Sequence, residues 1–168
     1  MALKLDMKTQ MLRFTKRLQG IVENASSKEV MKEVGEQAVR LIGQQAKLGN
    51  DYLTGGKFKP LSGSYVEKRQ RNSSDLHART RPRKSNVTAT GQMIDSVKVS
   101  KIMERSVEVE CSGSRSPSAF DSGKLTNAEV AYYVEKAGRH FLGLSDKSIE
   151  KIRKFYDRIV KTILRRQR

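Results

Sequence analysis

The apolar positions of the chain fall into a few periodic runs separated by polar punctuation. In residues 3–22, Leu3, Met7, Met11, Leu12, Phe14, Leu18, Ile21 and Val22 recur at roughly helical spacing with basic residues between them. This predicts an amphipathic N-terminal helix or arm over residues 1–25. A clearer helix is predicted over residues 27–47. There Val30, Val34, Ala38, Leu41, Ile42 and Gln45 follow a 3.6-residue period, Ser26 and Glu29 form a capping box, and Gly49-Asn50 ends the run. Residues 48–90 are broken by Gly49, Gly55, Gly56, Pro60, Gly63 and Pro82, with room for a short helix around Leu61–Arg71.

Residues 91–112 switch to period two. After a short turn or helix at Gly91–Asp95, Val97–Ile102 and Val107–Cys111 alternate apolar and polar residues, with Glu104-Arg105-Ser106 between them. An antiparallel hairpin with one buried and one charged face is the simplest arrangement. Residues 112–125 form a Ser/Gly-rich loop. Thr126 and Glu129 make a second capping box before the apolar segment Val130–Val134, which stops at Gly138. Phe141-Leu142-Gly143-Leu144 forms a compact apolar cluster. Ser145 or Asp146 then caps a final helix striped by Ile149, Ile152, Tyr156, Ile159, Val160 and Ile163. The fold class expected is α+β: a small antiparallel sheet packed by long N-terminal and C-terminal helices, in a single domain over residues 1–168 with a projecting basic loop at 72–89.

Composition sharpens this picture. Of 168 residues, 36% are hydrophobic, 31% are charged, and none is Trp. A core this thin suggests a subunit that covers its remaining apolar faces with neighbours. The net charge of +16 points to a polyanion or an acidic protein surface as partner. Basic residues concentrate in two places. One is Lys68, Arg69, Arg71, Arg79, Arg81, Arg83 and Lys84, in and before the polar stretch 72–89. The other is the final helix. The loop composition cannot bury enough surface to order itself, so it is expected to be mobile alone and to order on an adjacent subunit or partner. Aromatic residues barely interleave with these charges, which argues against a base-stacking platform but leaves sequence-blind phosphate contact open.

Catalytic and metal chemistry find little support. Cys111 is the only cysteine, so no intramolecular disulfide is available, and His77 and His140 have no metal-ligand spacing. Gly55-Gly56-Lys57 lacks the phosphate-loop pattern, and Glu108 and Glu110 share one strand face without a third ligand. No catalytic residue, cofactor or metal is assigned. No apolar run approaches the ~20 residues of a membrane span, and the N-terminus lacks a secretory pattern, so a cytoplasmic origin without membrane contact is expected.

Four local patterns, taken in order, carry a resemblance. Phe58-Lys59-Pro60-Leu61-Ser62 with Tyr65 and Lys68, then Thr90-Gly91-Gln92-Met93-Ile94-Asp95-Ser96, then Ala131–Gly138, then Arg139-His140-Phe141-Leu142-Gly143-Leu144-Ser145 occur in sequence. Together they resemble the phage virion morphogenesis family, the tail-completion and head–tail joining proteins of Mu-like and related tailed phages. Phe58 stands where that family usually has Trp. The resemblance covers about residues 27–165. It implies a non-enzymatic virion structural protein of the tail or neck, assembled in the host cytoplasm. It also implies a homo-oligomeric ring, six-fold, contacting other tail and neck (connector) proteins and, non-specifically, DNA in the lumen. The motif positions Phe58, Pro60, Leu61, Ser62, Tyr65, Thr90, Gly91, Ser96, Gly138, Arg139, Phe141, Leu142, Gly143 and Leu144 are then structural. The basic residues at 68–84 are inter-subunit or partner contacts. The alternative kept open is a basic nucleic-acid-binding protein without catalytic activity.

Overall fold

The computed structural model describes residues 19–20, 23–25, 27–71, 83–87, 90–104, 106–117 and 124–166. Most of the N-terminal helix or arm expected over 1–25 and most of the basic loop expected over 72–89 lie outside these residues. The elements in chain order are α1 (Lys28–Leu48), α2 (Gly63–Arg71), α3 (Gln92–Asp95), β1 (Val97–Ile102), β2 (Val107–Cys111), α4 (Asn127–Lys136) and α5 (Asp146–Arg166). The fold is α+β, a two-stranded antiparallel sheet flanked by helices, as the periodicities imply.

Helix α1 starts one residue later than its sequence signal suggests. Its cap is Ser27, whose Oγ accepts from Val30 N at 3.3 Å, and Ser26 lies outside the described residues. The cap expected at Ser26 falls outside the described residues, and the observed cap is Ser27. At the other end Gly49 takes a left-handed conformation (φ 73°). The buried face of α1 runs through Val30, Ala38, Leu41, Ile42, Gln45 and Ala46.

The hairpin pairs Val97 with Cys111, Lys98 with Glu110, Val99 with Val109, Lys101 with Glu108 and Ile102 with Val107. Ser100 is the extra residue of a bulge between Val99 and Lys101, and its Oγ donates to Glu108 O at 3.3 Å. The bulge keeps Ile102 on the inner face with Val97 and Val99. The outer face carries two Lys–Glu pairs directly opposite each other, the favourable cross-strand arrangement. Gly35 lets α1 approach this sheet closely. A Cβ there would sit 2.7 Å from Val107 Cγ1 and 2.8 Å from Val99 Cγ2.

The core gathers Ile42 and Ala46 of α1, Met93 and Ile94 of α3, Val97 and Cys111 of the hairpin, Ala131 of α4, and Phe58 and Phe141 from the connections. Gly91 turns the chain into α3 with φ 78°, a conformation that side-chain-bearing residues rarely adopt. The Thr126–Glu129 capping box of α4 is complete.

Helix α5 lies against α1, while Phe141 of the apolar cluster before it plugs the core and Leu142 and Leu144 pack at its edge. A polar hub sets this arrangement. Gln45, buried on the α1 stripe, donates from Nε2 to Gly143 O (3.1 Å), and its Oε1 accepts from Ser145 N (3.2 Å) and Ser148 Oγ (3.0 Å). The start of α5 is thus pinned to α1 before its apolar stripe begins. That stripe is only half covered: Ser148 is the one buried residue of α5.

Candidate functional site

Of the basic residues expected to face a partner, Lys68 and Arg71 are exposed on α2, and Arg83 and Lys84 are exposed beyond it. Arg79 and Arg81 lie outside the described residues. Arg71 Nη2 stands 3.7 Å from Glu67 across one helical turn, a solvated pair of small energetic consequence. Arg69 is placed differently. Its side chain is 0% exposed, packed inside the subunit rather than displayed on it. Nη1 donates to Lys84 O at 3.0 Å and the guanidinium lies 5.9 Å from the Tyr65 ring centre. Its Nε and Nη2 have no acceptor among the described residues. Burial lowers its pKa, yet a guanidinium remains charged in a protein.

The motif residues converge in space although they are far apart in sequence. Pro60 ends the preceding segment, and Ser62 starts α2, its Oγ accepting from Tyr65 N at 3.4 Å. Arg139 reaches back across the fold, Nη2 donating to Pro60 O at 3.3 Å. Lys59 lies over Gly138, its Nζ 3.0 Å from where a Cβ on that glycine would be. Gly143 is covered by the Tyr52 ring, which a Cβ would meet at 2.5 Å. Ser96 Oγ closes α3 by donating to Met93 O at 2.7 Å.

Between these segments lies an open cleft of about 710 Å³. Met93, Val130 and Val134 form part of its floor, Tyr65 and Thr90 line its sides, and Lys59, Arg115 and Arg139 supply its charge. Sequence reasoning assigned Arg139 and Tyr65 to structural motifs and passed over Lys59 and Arg115. Only the folded chain brings their charges together.

A second polar cluster sits at the opposite end of the 49–58 turn. Asp51, only 3% exposed, accepts from Leu53 N and Thr54 N through Oδ1 (both 3.0 Å). Its Oδ2 accepts from His140 N (3.2 Å) and meets His140 Nδ1 at 3.0 Å. Burial pushes the carboxyl pKa up, but the bonds from Thr54, His140 and Leu53 outweigh it, so the net shift is downward. An Asp–His pair of this kind orients a general base in many hydrolases. Here three of the four bonds to the carboxylate come from backbone N–H groups, and the ring is packed edge-on against Tyr52 (centroids 6.3 Å apart). The pair acts as a clasp joining the 49–58 turn to the segment before α5. The Asp-x-Leu-Thr-Gly pattern of an Asp-initiated turn was the available sequence signal.

Cys111 faces the core. Burial pushes its thiol up to about 11, so it is not a thiolate at neutral pH. Among the described residues no group of three or more His, Cys, Asp or Glu is arranged to hold a metal ion, and no helix is long and apolar enough to cross a membrane. No family model, curated protein or solved structure matches the chain.

Proposed function

We propose that this chain is a structural subunit of a tailed-phage virion, acting at the tail–neck junction as a closed ring of identical copies. The observation that carries the assembly reading is the apolar surface left open in the single subunit. Leu48, Leu53, Tyr132 and Tyr133 are exposed, and so are Ile149 and Leu164 on the α5 stripe. A closed ring covers such surfaces on every copy at once. The phage assignment rests on the order of the four motifs, and it gains support from their convergence on one cleft and one core. The motif residues bear on packing: a plug at Phe141, a brace from Arg139 to Pro60, a close approach at Gly143.

The test is compositional and hydrodynamic. Mass spectrometry of purified particles is expected to find the chain in the virion at ring stoichiometry, and light scattering is expected to find concentration-dependent rings. A chain absent from mature particles and monomeric at all concentrations overturns the proposal.

A second reading has one observation in its favour. The solvent face of α5 carries Lys147, Lys151, Arg153, Lys154, Arg158 and Lys161, all exposed. A free nucleic-acid-binding protein would use this face on phosphates without reading sequence. It predicts tight duplex binding by the monomer, falling steeply with salt, where the ring subunit shows weak binding of that kind.

A further inference from the structure

We propose that the cleft walled by Lys59, Arg115 and Arg139 receives an acidic, apolar-studded segment of a different protein. This goes beyond the ring reading and does not depend on it, since it concerns a heterologous partner rather than copies of this chain.

The cleft combines two chemistries that a protein segment satisfies together. Its floor of Met93, Val130 and Val134 is continuous with the core, so it is rigid and apolar. Among its described lining residues Lys59, Arg115 and Arg139 are cationic, and none is Asp or Glu. Arg139 spends one donor on Pro60 O. A guanidinium offers five N–H donors in a fork that matches a carboxylate. Arg115 is held in place as part of the wall by its bond to Asn127 Oδ1 at 3.2 Å.

Asn86, only 7% exposed, closes one side of the same cleft.

Charge complementarity selects the occupant. With 34 Lys and Arg against 18 Asp and Glu, a second copy of the chain is a poor match for a cationic cleft. A nucleic-acid backbone would meet the cations but leave the apolar floor unfilled, and Tyr65 alone makes no stacking platform. A segment alternating carboxylates with Leu or Phe meets both demands.

The probe is a fluorescein-labelled peptide alternating Glu or Asp with Leu or Phe, followed by anisotropy against the full chain. Lys59→Gln and Arg139→Gln are each expected to weaken binding at least about fivefold. Lys161→Gln and Arg165→Gln, which remove the same charge from α5, are expected to change it less than about twofold. Replacing the apolar residues of the peptide with Ser is expected to weaken it as much as the cleft variants do. A benzoylphenylalanine at the Phe position should cross-link beside Met93, Val130 or Val134. Lys59 is exposed, so its variant reports on binding even if Arg139→Gln loosens the fold. Equal losses from the cleft and α5 variants, cross-links elsewhere, or loss of duplex DNA binding in place of peptide binding would each overturn the proposal.

Discussion

At the scale of single residues, the positions that matter most are polar ones placed where the core would be expected to be apolar. Asp51 shows why. Its carboxylate caps the start of the 49–58 turn and clasps His140, so two backbone segments about half the chain apart depend on one charged group. Because its folded pKa lies below the unfolded value of about 3.9, the folded state favours the ionised form. The stabilisation is therefore complete above that unfolded value and is lost as pH falls through the folded one. Asp51→Asn presents an amide where two oxygens accepted. It is expected to cost about 1–3 kcal/mol at neutral pH, because at least one buried donor loses its partner. The variant should also show a flatter decline in urea-derived stability between about pH 5 and pH 2 than the parent protein. Parallel acid profiles for the two would show that Asp51 is not the group responsible. Arg69 is the opposite case. Its sequence neighbours Lys68 and Arg71 are exposed, and nothing in the local charge pattern distinguishes it from them. Its burial follows from which face of α2 turns inward, a fact fixed by the rest of the fold.

At the scale of elements, α1 and the hairpin meet through a glycine. Gly35 costs α1 some helix propensity, about 1 kcal/mol relative to Ala, but it admits Val99 and Val107 to the helix surface. Gly35→Leu is expected to destabilise the protein by about 1–3 kcal/mol through overpacking. Amide exchange should quicken in β1 and β2 before it does in α4. A helix-only effect, with the hairpin amides unchanged, would contradict this packing. The periodic elements were readable in the sequence because their signals are local. The 3.6-residue stripe of α1, the period-two runs of β1 and β2, and the Thr126–Glu129 box each depend on residues within a few positions of one another. What was not readable depends on distant partners. The docking of α5 on α1 is set by Gln45, Gly143, Ser145 and Ser148, about a hundred positions apart along the chain. The bulge at Ser100 leaves one local trace, the consecutive polar residues Ser100 and Lys101 that interrupt the alternation, but only the pairing register shows what that break means. The cleft is the extreme instance: Lys59, Arg115 and Arg139 come from three separate connections, and no spacing rule links them.

At the scale of the whole molecule, the balance between core and surface decides between assembly and solitary life. The core is built from short contributions of many elements, and large apolar side chains remain outside it. Leu53 is 67% exposed and Tyr132 is 61% exposed. Stability and association respond differently to their removal, and that difference makes the question answerable. A side chain already in water contributes little to the fold, so Leu53→Ser and Tyr132→Ser should each change unfolding free energy by no more than about 0.5 kcal/mol. If the same side chains are buried between copies, each loses about 1 kcal/mol or more of association energy per interface. In a ring every interface is repeated, so the concentration at which rings appear in light scattering should rise at least about tenfold while urea midpoints barely move. Duplex DNA affinity should stay as it was, because neither substitution changes the charge of the α5 face. Falling DNA affinity with unaltered association would favour the nucleic-acid reading. Unaltered association in both variants would mean that copies, if they meet, do so through the half-covered stripe of α5.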